Sequence, residues 1–419
     1  MTSSTHSRSI AVIGAGIVGV SCGLFLQDDG HQVTLVDPRD PGEGTSFGNA
    51  GVLSASSVLP IATPGTLKKV PAMLFDRDSP LRLRWRYLPS LAPWLARFML
   101  ASRWSRVERH SRSIRALVER AGGAHDTLIQ RCGAGELVRS GGWLKLARSR
   151  AAFGAATGLE RQFLQRCGVP FDVLEGGVIR EVEPSIADDV THALHLTANR
   201  RVTSPIAYTR RLVETFFEGG GRHLRAKVLG LDLLGGAHGI VTEDGRHPFD
   251  VIVIAAGAFS RGLAADAGHR VPLDTERGYH VTLPMPEIAP QYTLQALERG
   301  FVMAPMLDGL RITSGVELAS VDAPPDYRAV RRLVPIARTY VKGLDDRILG
   351  EWQGHRPSLP DGLPVLGRSK RHPDVLFAFG HQHIGLTLGP LTGRIIADIV
   401  AGRDPGIDLS PYAPDRLFF

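Results

Sequence analysis

Three glycines and one acid near the N-terminus have the types and spacing to bind a nucleotide. Gly14, Gly16 and Gly19 directly follow the apolar run of residues 10–13, and Asp37 comes roughly 20 residues later. Such glycines permit a tight turn, close approach of a pyrophosphate, and close packing of a helix on a strand. The pyrophosphate would accept hydrogen bonds from the helix N-terminus, and Asp37 would accept them from a ribose diol while repelling a 2′-phosphate. The spacing therefore predicts a dinucleotide site.

A second group of candidates lies in three short stretches of the second half of the chain. These stretches hold Tyr279 and His280, then Arg356 and Pro357, then His381 and His383. Arg356 is followed by a proline and surrounded by glycines, and a guanidinium in such a rigid segment suits bidentate capture of a carboxylate. The alternative, an ordinary surface or ion-paired arginine, stays open from the residue alone. The two later histidines alternate and have no carboxylate as a third ligand, so they do not form a zinc site.

Two glycine-rich segments suit close contact with a flat ligand. Residues 42–51 are rich in glycine and small polar residues, so their backbone can approach a ligand while Thr45, Ser46 and Asn49 supply hydrogen bonds; a plain surface loop is the alternative. Residues 380–389 precede a helix predicted over 391–400. The N-terminus of that helix would favour negative charge, which suits the pyrimidine edge of a reduced flavin.

The elements that must position these residues indicate a doubly wound α/β unit interleaved with an α+β lobe. Residues 18–29 read as a helix and 32–36 as a strand, and the buried run 250–257 delivers its C-terminus to a glycine. The sheet begun at residue 10 is thus rejoined much later in the chain, with ligands expected beyond the strand ends. Residues 278–283 alternate as strands of an antiparallel sheet do. The predicted nucleotide domain takes residues 1–60, 141–270 and 350–419, and the substrate domain takes 61–140 and 271–349.

The remaining predicted elements are less closely tied to the site. They are helices over 94–120, 151–167, 327–341 and from Pro205 (capped by Ser204) to about Phe217, strands at 142–146, 223–228, 301–305, 310–313 and 375–379, and a hairpin over 231–241 turning at Gly235 and Gly236.

Composition limits the classes of protein to consider. The chain has 419 residues, 43% of them hydrophobic and 22% charged, which is ordinary for a globular protein with a large core. Three cysteines without metal or redox spacing predict reduced thiols, a polar start predicts no secretory signal, and no run is long enough to span a membrane. The net charge of +7 fits an acidic substrate or an anionic membrane surface; no nucleic-acid motif accompanies it.

These motifs, in order along nearly the whole chain, resemble those of the FAD-dependent D-amino-acid oxidoreductases. The likeness is greatest to bacterial D-amino-acid dehydrogenase, within the wider group of glycine oxidase and sarcosine oxidase, and it extends to D-hydroxyproline dehydrogenases. The resemblance implies a Rossmann-like FAD-binding domain, a substrate domain on an antiparallel sheet, and non-covalent FAD. It also implies hydride transfer from Cα of a D-amino or D-imino acid to flavin N5, giving an imine that water hydrolyses.

Carried over by motif, Arg356 resembles the carboxylate-binding arginine and Tyr279 a substrate-facing residue of the same pocket. His383 is a further catalytic candidate that the family motif does not supply. The chain departs from the dehydrogenase pattern at His280, His381 and His383. The predicted cofactor-binding residues are Gly14, Gly16, Ile17, Val18, Gly19, Asp37, Pro38, Thr45, Ser46, Asn49, Ala50, Gly51, Val228, Ala256, Gly257, Gly380, His383, Ile384, Gly385, Leu386 and Thr387. No metal is expected.

Two other functions remain open from the sequence, namely a non-catalytic FAD-binding electron-transfer subunit and a nicotinamide-dependent reductase. For a dehydrogenase, the resemblance implies membrane quinone as the electron acceptor. Arginines and aromatic residues mix along residues 81–120, as they do on membrane-binding surfaces, although a solvated helix face is the simpler interpretation. We therefore expect a cytoplasmic protein. Peripheral contact with the inner face of the cell membrane is a hypothesis.

Overall fold

A computed structural model describes residues 7–75, 80–233 and 238–419 of the chain. The strands are β1 (Ser9–Ile13), β2 (Gln32–Val36), β3 (Val52–Leu53), β4 (Leu81–Leu83), β5 (Val138–Arg139), β6 (Trp143–Ala147), β7 (Asp172–Glu175), β8 (His192–Leu196), β9 (Arg200–Val202), β10 (Arg222–Leu224), β11 (Gly230–Asp232), β12 (Gly239–Thr242), β13 (Gly245–Pro248), β14 (Val251–Ile254), β15 (Asp274–Leu283), β16 (Thr293–Ala296), β17 (Phe301–Met306), β18 (Gly309–Leu318), β19 (Gly350–Ser358), β20 (Val365–Arg368) and β21 (Val375–Phe379).

The helices are α1 (Ile17–Asp28), α2 (Pro64–Phe75), α3 (Leu88–Ala101), α4 (Trp104–Cys132), α5 (Arg150–Arg166), α6 (Val178–Val182), α7 (Pro205–Glu218), α8 (Ser260–Asp266), α9 (Arg328–Arg331), α10 (Leu333–Arg338) and α11 (Gly385–Val400). Helix α7 begins as predicted, because Ser204 Oγ accepts a hydrogen bond from Ala207 N at 3.3 Å. The predicted turn at Gly235 and Gly236 lies outside the described residues; β11 and β12 on either side of it are antiparallel partners.

A six-stranded sheet forms the first layer of the fold, with the strand order β10-β2-β1-β14-β21-β20. Strands β10, β2, β1, β14 and β21 are parallel neighbours, and β20 is antiparallel to β21. The predicted strand–turn–helix–strand unit is present as β1, α1 and β2. The predicted return of the chain to this sheet is also confirmed, since Ile10 pairs with Val251. The strand predicted over 223–228 is shorter and ends at Leu224.

A nine-stranded sheet forms the second layer, in the order β19-β15-β18-β17-β16-β6-β8-β7 with β4 paired to β18. Strand β15 is antiparallel to both β18 and β19, as its alternating sequence predicts. This pairing divides the chain differently from the predicted boundaries, because β6, β7, β8 and β19 join the larger sheet although 141–270 and 350–419 were assigned to the nucleotide domain. The sequence of a short strand such as β6 does not indicate which strand it pairs with. Its parallel pairing with β16 places it in the nine-stranded sheet.

Three predicted helices have different bounds in the structure. The pattern over 94–120 divides into α3 and α4 at Ser102 and Arg103, and the pattern over 327–341 divides into α9 and α10 at Arg332. The prediction that the last helix starts at residue 391 is wrong, because α11 begins at Gly385 and contains Pro390. A proline inside a helix removes one backbone hydrogen bond, so a local compensation is required.

Helices α1 and α11 cross closely on the six-stranded sheet, and one glycine sets their separation. A Cβ atom added to Gly393 of α11 would lie 2.5 Å from the carbonyl carbon and oxygen of Ser21 in α1. Real Cβ atoms do not approach backbone so closely, and neither backbone can move without disturbing the sheet beneath. The crossing therefore requires glycine at this position.

Substituting Gly393 by alanine is expected to destabilise the protein by about 1–3 kcal/mol, because the added methyl group overpacks the α1–α11 crossing. Gly158 of α5 is the matched control, since a Cβ there meets no heavy atom within 4 Å. Gly158→Ala should stabilise the helix by up to about 1 kcal/mol. Urea unfolding of the holoprotein measures both changes. Shifts of the same sign and size would contradict the role of Gly393.

Candidate active site

A cleft of about 1340 Å³ lies where the carboxyl ends of the parallel strands face the nine-stranded sheet. All of the predicted cofactor-binding residues line it except Gly19, Gly51 and Gly380. These three glycines are instead required by the local backbone conformation or by close backbone packing. Gly51 and Gly380 have positive φ angles of 70° and 86°, and a Cβ on Gly19 would overlap the carbonyl oxygen of Gly14.

The glycine turn after β1 is fixed by backbone contacts. Gly14 has a φ angle of 106°, and its N–H donates to Val36 O at 2.8 Å. Asp37 follows β2, and its carboxylate accepts hydrogen bonds from Ala15 N and Arg39 N, both at 3.0 Å. The predicted acid thus lies beside the glycine turn, and these two backbone hydrogen bonds fix the orientation of its carboxylate.

The loop of residues 42–51 lines part of the cleft. Ser46 Oγ accepts a hydrogen bond from Ile17 N at the start of α1 at 2.9 Å, and Thr45 Oγ1 donates to His355 O at 2.9 Å. Arg311 of β18, which is buried, donates from Nη1 to Phe47 O at 3.2 Å and to Asn49 O at 3.0 Å. The loop is therefore tied to α1 and to the nine-stranded sheet, and it is not a plain surface loop.

Trp352 and His280 form an aromatic wall under this loop. Their rings stack with centroids 5.2 Å apart, and His280 Nδ1 lies 3.0 Å from Gly48 O. A Cβ on Gly48 or Gly354 would overlap the indole ring, so both glycines are needed where they stand. Burial, together with the charge of Arg311, lowers the pKa of His280 to about 3, and the ring is neutral.

The turn before α11 brings two of the predicted histidines to the cleft. Gln382 between them has a φ angle of 49°, a rare conformation for a side chain other than glycine, and its N–H donates to Pro357 O at 3.0 Å. His381 is buried and bonds Thr392 Oγ1 at 2.9 Å, whereas His383 is exposed to the interior of the cleft. Desolvation lowers the pKa of each imidazole to about 4, and the charges of Arg356 and Lys145 add to the effect at His383.

His125 of α4 compensates for the proline inside α11. Pro390 has no N–H to donate to Leu386 O, and His125 Nε2 lies 3.1 Å from that oxygen and from Thr387 O. Carbonyl oxygens only accept, so Nε2 carries the proton and Nδ1 accepts from Tyr208 Oη at 3.0 Å. Burial lowers the pKa of His125 to about 4, consistent with a neutral ring. This contact holds the first turn of α11 against the cleft.

Arg356 presents its guanidinium across the face of the nine-stranded sheet. It starts on β19, passes over Gly278 of β15, and donates from Nη1 to Gly315 O of β18 at 2.8 Å. A Cβ on Gly278 would lie 2.6 Å from Nη2, so a side chain there would push the guanidinium out of this position. Desolvation lowers the pKa of Arg356, and the negative charge of Glu276 opposes this effect.

Tyr279 does not accompany Arg356 in the cleft. Successive side chains of a strand point to opposite faces, so Tyr279 lies behind the sheet that carries Gly278 at its front. Its hydroxyl donates to Glu317 Oε2 at 2.5 Å, and Glu317 also pairs with the fully buried Arg277 at 3.1 Å. The expectation that Tyr279 faces a shared pocket with Arg356 is therefore corrected by the strand register.

Sequence reasoning missed three charged residues of the cleft, namely Glu276, Lys145 and Lys227. Glu276 of β15 and Lys145 of β6 both line it, and Lys145 Nζ pairs with Glu160 Oε1 at 2.6 Å. An acid one step from Arg277 on an otherwise buried strand was the available signal for Glu276. Within residues 7–75, 80–233 and 238–419, no group of three or more His, Cys, Asp and Glu side chains is placed to hold a metal ion.

One arm of the cleft beside Arg356 is apolar. Strand β4 joins β18 next to Gly315, since Val316 pairs with Leu81, and Trp94 Nε1 donates to Ser358 O at 3.3 Å. The arm is lined by Ile61, Thr66, Leu67, Val70, Met73, Pro80, Leu81, Leu83, Trp94, Leu95, Phe98 and Met99. Side chains of this kind exclude water and accept an apolar group.

This geometry agrees with the relationships of the chain. Residues 9–399 match the family described as FAD dependent oxidoreductase. The chain belongs to this family. A D-amino-acid oxidase of Bradyrhizobium diazoefficiens is 37% identical over 98% of this chain and 99% of that protein. A D-amino acid dehydrogenase of Chromohalobacter salexigens is 30% identical over 96% of this chain and 99% of that protein. A glycine oxidase from Geobacillus kaustophilus shares the fold, with a TM-score of 0.75 and 23% identity over 98% of this chain and 99% of that one.

The chain of this FAD-dependent oxidoreductase fits its cofactor. The tight turn at Gly14 leaves no room for a side chain, because a Cβ there would lie 2.5 Å from Ala255 O. Asp37 stands at the end of β2, where a ribose diol is bound in nucleotide-binding sheets. The predictions of a Rossmann-like architecture, of FAD and of an oxidoreductase are confirmed, whereas a hydroxyproline substrate stays a prediction.

Acidification is expected to destabilise the protein through His125. Its folded-state pKa of about 4 lies below the ordinary value near 6.5, so its contribution is complete above about pH 6.5 and is lost as the pH falls toward 4. The loss is on the order of 3 kcal/mol. His125→Phe should cost about 1–3 kcal/mol at pH 7, because Leu386 O loses its donor, and it should flatten the fall below pH 6.5.

Unfolding of the holoprotein between pH 4 and 8 measures both effects. Tyr208→Phe is the matched control, since it removes the hydroxyl but leaves Nε2 bonded to the carbonyl oxygens, and it should keep the wild-type slope. An unchanged slope in His125→Phe would mean that His125 is not the titrating group.

Proposed function

We propose that the protein oxidises an α-amino or imino acid, of the D configuration, by FAD-dependent dehydrogenation of the Cα–N bond. The observation that carries this proposal is the guanidinium of Arg356, held in the cleft by Gly278 and Gly315 O. A half-buried arginine with N–H groups still available suits a carboxylate. The D-amino-acid oxidase and dehydrogenase relatives support the choice of substrate class.

In the proposed arrangement the six-stranded sheet holds the cofactor and the nine-stranded sheet holds the substrate. Gly14 and Gly16 would approach the pyrophosphate, Asp37 would accept hydrogen bonds from the ribose, and the turn from His383 to Thr387 would border the flavin. Bound FAD supplies the hydride acceptor. The neutral imidazole of His383 adds no cation to the reaction region, because its pKa is lowered to about 4.

The chain's own residues would orient the substrate and exclude water. Arg356 would fix the carboxylate, which leaves the substrate side chain to enter the arm formed by β4 and α3. Because that arm is apolar, amino acids such as D-leucine, D-methionine and D-proline fit it better than D-glutamate or D-lysine. Oxidation of an amino acid gives an imine, which water hydrolyses to the 2-oxo acid. Oxidation of a cyclic imino acid gives an imine that remains in the ring.

Arg356→Ala is expected to lower kcat/KM by roughly 30- to 150-fold, or about 2–3 kcal/mol, while FAD remains bound. The loss follows from removing a charge-assisted hydrogen bond to the carboxylate. Bleaching of the flavin under anaerobic conditions, with D- and L-amino acids as reductants, measures it. Arg150→Ala is the control, since Arg150 is exposed at the start of α5.

Two outcomes would contradict this assignment in different ways. An unchanged kcat/KM would remove Arg356 from the substrate site but leave the oxidase or dehydrogenase activity in place. Failure of every amino acid to bleach the wild-type flavin would reject the proposed function and favour an electron-transfer subunit.

We also propose that the electron acceptor is a membrane quinone, reached from a surface formed by Trp85, Arg86, Arg97, Met99, Arg103 and Trp104. All six side chains are exposed, and Met99 also lines the apolar arm of the cleft. Other residues of the predicted basic segment are structural, since Arg84 pairs with Glu317 at 2.8 Å and Trp94 is buried. In the described part of the chain no helix is long and apolar enough to cross a membrane. Contact would therefore be peripheral.

The double substitution Trp85→Ser/Trp104→Ser is expected to reduce co-sedimentation with vesicles containing phosphatidylglycerol at low salt. The tryptophans would sit at the lipid boundary, and each nearby arginine contributes about 1 kcal/mol that salt screens. Leu417→Ser is the control, because Leu417 is exposed elsewhere. Absence of wild-type protein from the low-salt pellet would contradict membrane contact.

A further inference from the structure

Glu276 and Arg356 face one another across two neighbouring strands. They are partners in the antiparallel ladder of β15 and β19, so their side chains leave the sheet on the same face. Both line the cleft. Among the described lining residues, the carboxylates are Glu276 and Asp37, and Asp37 lies at the glycine turn where its oxygens accept backbone hydrogen bonds. Glu276 is thus the carboxylate on the substrate side.

The two charges are held apart rather than paired. Within the described part of the chain, no Glu276 oxygen lies within 4.0 Å of an Arg356 nitrogen. The guanidinium instead crosses Gly278 and donates a hydrogen bond to Gly315 O of β18. Glu276 itself is only 7% exposed. A buried carboxylate beside a half-buried guanidinium that does not pair with it directly is costly, and a ligand with both charges would stabilise the two at once.

An α-amino acid is such a ligand, because its carboxylate and ammonium groups are attached to the same carbon. We propose that Glu276 binds the substrate ammonium group while Arg356 binds the carboxylate, and that Glu276 then accepts one ammonium proton. The inference rests on the proposed amino-acid oxidation and assigns its proton acceptor. An N–H bond breaks and an O–H bond forms on the Glu276 carboxyl group, with no electron transfer. The amine lone pair that this frees allows hydride to leave Cα.

The surroundings of Glu276 are consistent with a proton acceptor of moderate strength. Burial raises the pKa of its carboxyl group, while Arg356 and Ser358 of β19 lower it and Asp274 of its own strand raises it. On the other sides of the cleft the titratable side chains are His381 and His383, both neutral, and Lys145, which pairs with Glu160. Asp37, Arg39 and Lys227 also line the cleft. A raised pKa keeps the carboxylate basic enough to take a proton from a bound ammonium group.

With the apolar arm as a third point, this pair also defines the handedness of the substrate. Three of the four substituents of Cα would be fixed, with the carboxylate at Arg356, the ammonium at Glu276 and the side chain in the arm. The hydrogen on Cα can then point in only one direction. The opposite enantiomer cannot satisfy all three contacts with the same hydrogen direction. The hand of the substrate would therefore depend on Glu276 as well as on the shape of the arm.

The test compares an amino acid with the same molecule lacking its amino group. The pairs are D-alanine with propionate, D-leucine with 4-methylpentanoate, and D-proline with cyclopentanecarboxylate; the pair whose amino acid reduces the wild-type flavin fastest is used. The dissociation constant of the deaminated carboxylate comes from the change in flavin absorbance as it binds. That of the amino acid comes from the hyperbolic dependence of the anaerobic reduction rate on its concentration. Glu276→Gln should weaken amino-acid binding roughly 10- to 100-fold and leave the deaminated carboxylate bound as in wild type or more tightly. Arg356→Ala should weaken both ligands.

The pH dependence separates a proton acceptor from a merely structural carboxylate. Wild-type kcat/KM should fall as the pH decreases through the raised pKa of Glu276, whereas Glu276→Gln should gain activity steadily toward the pKa of the free amine. Equal weakening of both ligands in Glu276→Gln, or an unchanged amino-acid dissociation constant, would overturn the inference. If this variant does not fold, the wild-type protein still decides. The amino acid must lose affinity relative to its deaminated analogue as the pH falls, and a constant ratio overturns the inference. Failure of all amino acids to reduce the wild-type flavin would instead reject the proposed function.

Discussion

A guanidinium cannot be moved from water into a protein without partners, and this constraint on Arg356 shapes the cleft. Three neighbouring strands cooperate to meet it. Strand β19 supplies the arginine, β15 supplies a glycine beneath it, and β18 supplies the carbonyl oxygen of Gly315. The position of Gly315 is itself stabilised by the next residue, because Val316 N donates a hydrogen bond to Pro80 O at 2.7 Å. The segment that forms the apolar arm is therefore the same one that steadies the charged end of the site.

A second arginine on the same sheet is fully buried and meets the same constraint differently. Arg311 donates from Nη1 to the carbonyl oxygens of Phe47 and Asn49, and so ties the loop of residues 42–51 to the sheet. Arg356 bonds one carbonyl oxygen and leaves further donors facing the cleft. Of these two arginines on β18 and β19, the buried Arg311 holds the loop against the sheet, and the half-buried Arg356 remains available for a ligand.

Features encoded in short, contiguous segments could be predicted from the sequence. The turn at Gly14, the acid at Asp37 and the cap at Ser204 depend on residues that are close in the chain, and the structure has each of them in place. The start of α11 could not be predicted in this way, because Pro390 is a local signal against a helix. The signal that outweighs it is His125, 261 positions away from the carbonyl oxygen that it satisfies.

The site shows the same division between local and distant information. The sequence identified Arg356 from its rigid surroundings, but the face on which a side chain leaves a strand depends on the partners of that strand. Tyr279 was expected in the cleft and lies behind the sheet, whereas Glu276 was overlooked and lies in front. Membership of β6 in the larger sheet likewise depends on β16, which the chain supplies about 150 residues later.

The order of strands in the six-stranded sheet also bears on how the chain folds during synthesis. Strand β1 is central, and its inner neighbour β14 is distant in the chain, as the contact between Ser9 and Asp250, 241 positions apart, indicates. At about 5–20 residues per second, a ribosome needs roughly 12 to 50 s to supply that partner. Throughout this interval one edge of the apolar strands β1 and β2 stays without its native neighbour, and such edges are templates for wrong pairing. The nascent chain therefore has a long period in which a chaperone that covers apolar strands would raise the yield of folded protein.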